Sequence, residues 1–238
     1  MRNVVFQLSI DPKGREWKTA GKKVFRYSNH LYDFSNVRAK QYADRVGADY
    51  FRLKTMDWLG EEYAPCYHKL YLYELAKKYD RILYLDSDCI ITKFCPDIFK
   101  KENEVWAAVD QSNTPSGRKQ LRLLREKHSI SNHAHLYFTT SVLHVNKEFC
   151  NLTAEHWRKE LVDCENLAGS QHDQSVFNML VAKHHHYRPL NPSWGAWYGN
   201  GYYIKHYYGP TNTSNWEPKT FLDWENRLQR KLETNSEH

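Results

Sequence analysis

The chain has 238 residues, 41% of them hydrophobic and 15% aromatic, with a net charge of +6. That length and apolar content fit one large α/β domain and exclude wholesale disorder. The charge is mild and spread out, so no nucleic-acid arm is expected.

Residues 3–10, "NVVFQLSI", read as a first buried strand, followed by a polar loop. A helix with Ser35 near its N-cap is predicted to stop at Gly47 and lead into a strand over 49–53. Residues 67–80 read as a helix with Leu70, Tyr71, Leu75 and Tyr79 on its inner face, and "RILYLDSD" follows at once as a strand. "VWAAVD" (105–110) is another strand. The densest basic stretch, 117–128, reads as an amphipathic helix with Leu121 and Leu124 inward. A strand over 136–146, helices over 153–163 and 172–184, two short aromatic strands and an amphipathic helix over 216–233 complete the chain. Strands alternating with helices predict a mostly parallel sheet covered on both faces. The histidine run 184–186 is expected to flank a strand.

The five cysteines show no CxxC spacing, and no run approaches transmembrane length. The polar start "MRNVVFQLSID" does not read as a signal peptide, so a reducing, cytoplasmic setting is the expectation.

Asp86-Ser87-Asp88 closes an apolar run. Two carboxylates about 4 Å apart at an effective dielectric near 20 repel by roughly 4 kcal/mol, so such an ending needs a positive partner. Residues i and i+2 of a strand share a side. The pair converges if the strand continues and splays if a turn begins at Ser87. Oxygen ligands at this spacing suit a hard divalent cation that keeps positions open for a phosphate. An EF-hand is excluded because the position that requires glycine is Ile91. The competing reading has the pair capping or salt-bridging neighbouring groups. Asp86, Asp88 and Asp110 all end predicted strands, the edge where open α/β sheets collect ligands.

On these residues the chain resembles the GT-A nucleotide-sugar-dependent glycosyltransferases, and among them the family 8, glycogenin-like enzymes. "YDRILYLDSDCII" looks like their metal-binding segment, and "HKLYLYELAKKYDR" like the helix before it, with its lysine at Lys69. "VWAAVD", "YFTTSVLHVN", "HDQSVFNML" and "HYYG" resemble later elements in the same order. The resemblance implies an α/β, GT-A, Rossmann-like and mostly parallel mixed sheet flanked by helices, a single domain over 1–216, with 217–238 an amphipathic helix and charged tail. It implies that Asp86, Asp88 and His206 hold Mn²⁺ (or Mg²⁺). Ser9, Asp11, Tyr32, Lys69, Ser87 and Lys205 would meet the nucleotide and its phosphates. Asp110, Thr139 and Thr140 would meet the donor sugar, and Asp173 and Gln174 would lie at the reaction centre. Trp194 and Trp197 stand in an aromatic, glycine-broken loop suited to stacking an acceptor sugar, with plain packing as the alternative.

The implied activity is metal-dependent transfer of a sugar from a nucleotide diphosphate donor, UDP-hexose being expected, to a hydroxyl acceptor with retention. An inverting enzyme with Asp173 as base, or a nucleotide- or carbohydrate-binding protein without turnover, is the alternative. Two positions depart from the family pattern. Thr139-Thr140-Ser141 stands where the family has Asn-Ser/Ala-Gly, and the lysine that follows HxxG is absent.

Overall fold

The computed structural model describes residues 1–11, 29–101, 105–109, 119, 122–123, 125–126, 137–166, 172–184, 187–194, 202–207 and 216–235. The sequence readings at Asp110, Leu121, Leu124 and Trp197 lie outside them. The strands are β1 (Asn3–Leu8), β2 (Asp49–Leu53), β3 (Arg81–Leu85), β4 (Cys89–Ile91), β5 (Val105–Val109), β6 (Phe138–Asn146), β7 (Tyr187–Leu190) and β8 (Ile204–His206). Among the described residues the bounded α-helices are α1 (Asn29–Val46), α2 (Leu72–Leu75), α3 (Lys147–Thr153), α4 (Trp157–Asn166), α5 (His172–His184) and α6 (Pro218–Asn235), and residues 119, 122–123 and 125–126 are also helical.

Six strands form the central sheet in the order β2-β1-β3-β6-β5-β7. Pairings β1–β2, β1–β3 and β5–β7 are parallel, while β6 runs antiparallel to both β3 and β5. The expected mostly parallel, mixed sheet flanked by helices is what the chain forms. Its two faces follow from the two-residue period of a strand. Val4, Phe6, Ile82 and Tyr84 pack with α2 to α5 in one core, and Val5, Leu83 and Leu85 pack with α1 and β4 in the other. Asp86 continues the parity of Ile82 and Tyr84, which directs it toward the first of these cores.

β3 ends at Leu85, and the Cys89 N–H donates to the Asp86 carbonyl at 3.0 Å. The chain therefore turns through Asp-Ser-Asp, the splayed arrangement of the two open at the sequence level. After the turn, β4 leaves the main sheet and pairs antiparallel with β8, setting Cys89 opposite His206. Along β5 and β6 the register jumps between Ala107–Leu143 and Ala108–Thr139, so Thr140, Ser141 and Val142 bulge out of the β5 pairing, while Val142 stays paired with Leu85 of β3. Bulges of this kind re-aim side chains.

Three expected elements differ. The first helix begins at Asn29, and Ser35 lies inside it, fully buried, rather than at its N-cap. Its inward stripe of Leu31, Ser35, Ala39, Tyr42 and Ala43 keeps the three-to-four spacing and extends one turn before the serine. The segment before β3 is not one helix but a 3-10 turn over Pro65–Tyr71 followed by the short α2. Tyr67, His68, Lys69 and Leu70 are all buried, so this stretch passes through the core instead of lying across it on one face. The helix expected over 153–163 begins only at Trp157, and a separate short helix, α3, precedes it. Asn146 caps α3 by accepting from the Phe149 N–H at 2.7 Å, and the Thr153 hydroxyl donates to the Phe149 carbonyl at 2.7 Å near its end. The helix expected over 172–184 is present in full.

Gly47 ends α1 at φ 67. The Ala48 N–H reaches the Ala43 carbonyl at 2.9 Å, and the Gly47 N–H reaches the Asp44 carbonyl at 3.4 Å, the double bond of a Schellman stop. α6 docks through Phe221 and the adjoining Trp216 onto Leu31 and Ile90. Glu225, 3% exposed, accepts from Arg38 and from the Lys93 N–H, tying α6 to α1 and to the turn that follows β4. Phe221→Ala is expected to cost about 3 kcal/mol in denaturant unfolding, because Phe221 is fully buried in this small cluster. No helix among the described residues is long and apolar enough to cross a membrane, and all five cysteines are free thiols.

Candidate active site

Beyond the carboxyl end of β3 the two aspartates find separate cationic partners. Asp86 Oδ1 accepts from Lys69 Nζ at 2.9 Å and from the Tyr84 hydroxyl at 2.6 Å. Lys69 Nζ also reaches Asp173 Oδ2, at 2.8 Å, and donates to Thr140 Oγ1 at 3.1 Å. The Thr140 hydroxyl in turn donates to Asp173 Oδ2 at 2.5 Å. One buried ammonium thus joins the strand end, the β6 bulge and the first turn of α5. Burial by itself opposes charge on Lys69, but Asp173 and Asp86 outweigh it and hold the amine's pKa above its ordinary value. At Asp86 burial raises the pKa, Lys69 lowers it, and the charges of Asp88 and Asp173 raise it again, for a net rise.

Asp88 turns the other way. Its Oδ1 lies 3.3 Å from His206 Nε2, and its carbonyl accepts from the Tyr207 N–H at 2.9 Å, which fixes β8 against the turn. Burial works against a charged His206, yet the charge and hydrogen bond of Asp88 raise its pKa above the usual imidazole value. Asp88, Cys89 and His206 bring ligand atoms within 4.8 Å of one another. Two neighbouring donors about 2.1 Å from an octahedral cation stand about 3 Å apart, so the aspartate–histidine pair has the spacing such a cation needs. Cys89 is a poor third donor. Its thiol points to the Ser141 carbonyl at 3.6 Å, and burial followed by the charges of Asp88 and Asp86 pushes its pKa well above the normal thiol value. Cys89→Ala is therefore expected to leave divalent-cation affinity within about twofold of wild type in calorimetry, whereas a thiolate ligand would show a large loss.

Gln7 and Tyr50, not expected at the site, and Ser35, expected only as a helix cap, support the turn. Gln7 Nε2 donates to Ser35 Oγ at 3.0 Å and to the Asp86 carbonyl at 3.4 Å, and Ser35 Oγ donates to the Cys89 carbonyl at 2.6 Å. Tyr50 holds Gln7 through its hydroxyl at 3.0 Å. The available signal was polarity out of place: a glutamine inside "NVVFQL" and a tyrosine inside "RILYL".

Other expected site residues are distributed unevenly. Ser9 is buried and donates to Asn36 Oδ1 at 3.1 Å, and Asp11 is exposed just beyond it. The Ser87 hydroxyl bonds the Leu8 carbonyl, which anchors the turn to the end of β1. Tyr32 packs against the Leu31–Phe221 cluster. Thr139 faces away from Thr140 and bonds Ser141 Oγ at 3.2 Å. Gln174, next to Asp173, is half-buried, and its carbonyl accepts from Asn178 at 2.8 Å. Lys205 is not brought to the cluster. It is paired with Ile90, on the opposite side of β8 from His206, and its ammonium sits over the Trp224 ring at 4.3 Å. Trp194 is 4% exposed and packs edge-on to Tyr203, so its ring is part of the core.

The arrangement belongs to a known type of fold. A glycosyltransferase involved in glycosylating the major capsid of PBCV-1 aligns over 97% of this chain and 100% of its own, at 11% identity and TM-score 0.55. An active-site mutant of LgtC aligns over 96% of this chain and 95% of its own, at 14% identity and TM-score 0.55. GlyE of Streptococcus pneumoniae TIGR4 aligns over 99% of this chain and 64% of its own, at 21% identity and TM-score 0.50. At these identities the likeness is one of fold, and it is the GT-A architecture expected from the sequence. No curated protein sequence matches the chain. The family model described as glycosyl transferase family 8 matches residues 8–217, which takes in the Asp-Ser-Asp turn, the Lys69 cluster and His206, and the chain belongs to that family.

Proposed function

We propose that the protein transfers a hexose from a UDP-hexose to a hydroxyl acceptor, with a divalent cation, Mn²⁺ or Mg²⁺, held by Asp88 and His206. The observation that carries this reading is the aspartate–histidine pair, 3.3 Å apart at the sheet edge where ligands collect. Asp86, whose Oδ1 is taken by Lys69 and Tyr84, is assigned as a further ligand through its other carboxylate oxygen. An imidazole among oxygen donors favours Mn²⁺ over Mg²⁺. Bound there, the cation supplies Lewis-acid stabilisation of the charge that develops on the departing diphosphate.

The chain's own residues divide the remaining work. Ser9, Asp11 and Tyr32, at the end of β1 and on α1, are assigned to the nucleoside, and Asp110 and Thr139 to the donor sugar. Ser87 holds the turn against β1 by its bond to Leu8. Asp173 and Gln174 are assigned to the reaction centre. Lys69 is committed to two carboxylates, so its part is to hold Asp86 and Asp173 in place. With Asp173 bound in this way, retention of the donor's anomeric configuration is preferred over an inverting step that would need it as a free base. The test is calorimetric binding of UDP in Mn²⁺ and in EDTA, for wild type and Asp88→Asn. Binding indifferent to both changes overturns the metal-dependent reading.

A further inference from the structure

We infer that Thr140 is a positioning residue that fixes Asp173 as an anionic acceptor for the donor sugar, an inference that rests on the transferase reading above. The direction of every proton in this cluster is set by chemistry. Lys69 is an ammonium with no acceptor capacity, so its 3.1 Å contact to Thr140 Oγ1 must be a donation to the hydroxyl. The threonine proton is then left to the 2.5 Å bond with Asp173 Oδ2. That same oxygen takes the direct Lys69 contact at 2.8 Å. Two donors fill the two lone pairs of Oδ2, so a ligand would be received at Oδ1, whose two lone pairs can serve both a sugar hydroxyl and the hydrogen bond that the Cys66 thiol makes to this carboxylate.

The surroundings admit little alternative. Asp173 is 6% exposed and Thr140 is 2% exposed, and Asp173 stands in the first turn of α5, where the helix favours negative charge. The Cys66 thiol lies beside it, and burial together with the Asp173 charge drives that thiol's pKa well above normal, so Cys66 brings no competing anion. Thr140 reaches Asp173 because the β6 bulge begins there. Thr139 and Ser141, its neighbours on either side, bond each other. A carboxylate anchored by an ammonium and a hydroxyl is a rigid hydrogen-bond acceptor, suited to receiving a sugar hydroxyl in a fixed orientation.

The experiment compares UDP with UDP-glucose, UDP-galactose, UDP-N-acetylglucosamine and UDP-xylose by calorimetry in Mn²⁺, on wild type, Thr140→Val and Thr140→Ser. Thermal melting is run alongside to verify folding. Valine keeps the shape and removes the donor, and serine keeps the donor. The wild type should bind one of these sugar donors more tightly than UDP. Thr140→Val should retain UDP affinity and lose the sugar increment by about tenfold, the worth of one charge-assisted hydrogen bond, and Thr140→Ser should restore it. An unchanged increment in Thr140→Val, or no increment in wild type for any of the four, overturns the positioning role while leaving the transferase reading intact. Absence of Mn²⁺-dependent UDP binding in wild type overturns the transferase reading itself, and this inference with it.

Discussion

Lys69→Met is expected to destabilise the protein by about 3–5 kcal/mol, the usual cost of removing one partner from a buried charge cluster. Lys69 is 5% exposed and stands between Asp86 and Asp173, 2.9 and 2.8 Å away. Methionine matches the length of the stem and supplies no charge. Two carboxylates with side chains 25% and 9% exposed are then left facing each other without a cation. For a domain of this size the loss corresponds to a melting temperature lower by roughly 6–20 °C. A second change separates the charge effect from lost packing. Lys69→Met combined with Asp173→Asn should regain part of the deficit, since the asparagine carbonyl still accepts from Thr140 and one buried charge is gone. If Lys69→Met melts within about 2 °C of wild type, the ammonium is not what holds this cluster together.

Asp88→Asn is expected to leave the fold intact and weaken Mn²⁺-dependent UDP binding by about 100-fold or more, since losing even an outer-shell partner of a metal ligand costs 10–100-fold. The two aspartates differ in what they do for the fold. Asp86 serves Lys69 and Tyr84, whereas the side chain of Asp88 meets His206. Asparagine preserves the shape and removes the charge that a cation needs, so melting should move by no more than a few degrees. His206→Gln should produce a similar loss of binding, and EDTA should reduce wild-type binding to the level of both variants. A variant that folds normally and still binds UDP in a metal-dependent way would move the cation elsewhere.

Part of this site was legible in the sequence. The Asp-Ser-Asp turn could be read because carboxylates at the end of an apolar run are costly without a partner. His206 could be read because "HYYG" follows the earlier motifs in family order. The helix over 172–184 was recovered in full, while Ser35 was misplaced because a serine inside a helix looks like a cap until its inward partner is known. Lys205 illustrates the same limit. It is one residue from His206, and strand alternation sends it to Trp224 instead of the site.

By itself, the sequence determined the apolar strands, the sheet edge carrying the carboxylates and the family, because these depend on local pattern and on the order of motifs. Only the tertiary structure decided which partner each aspartate takes. Lys69, Thr140 and Asp173 are separated by 71 and 33 residues along the chain, and the antiparallel insertion of β6 brings them together. No local pattern encodes that meeting. It depends on where β6 enters the sheet and on the bulge that turns Thr140 toward Asp173, both properties of long-range packing rather than of any short stretch of residues.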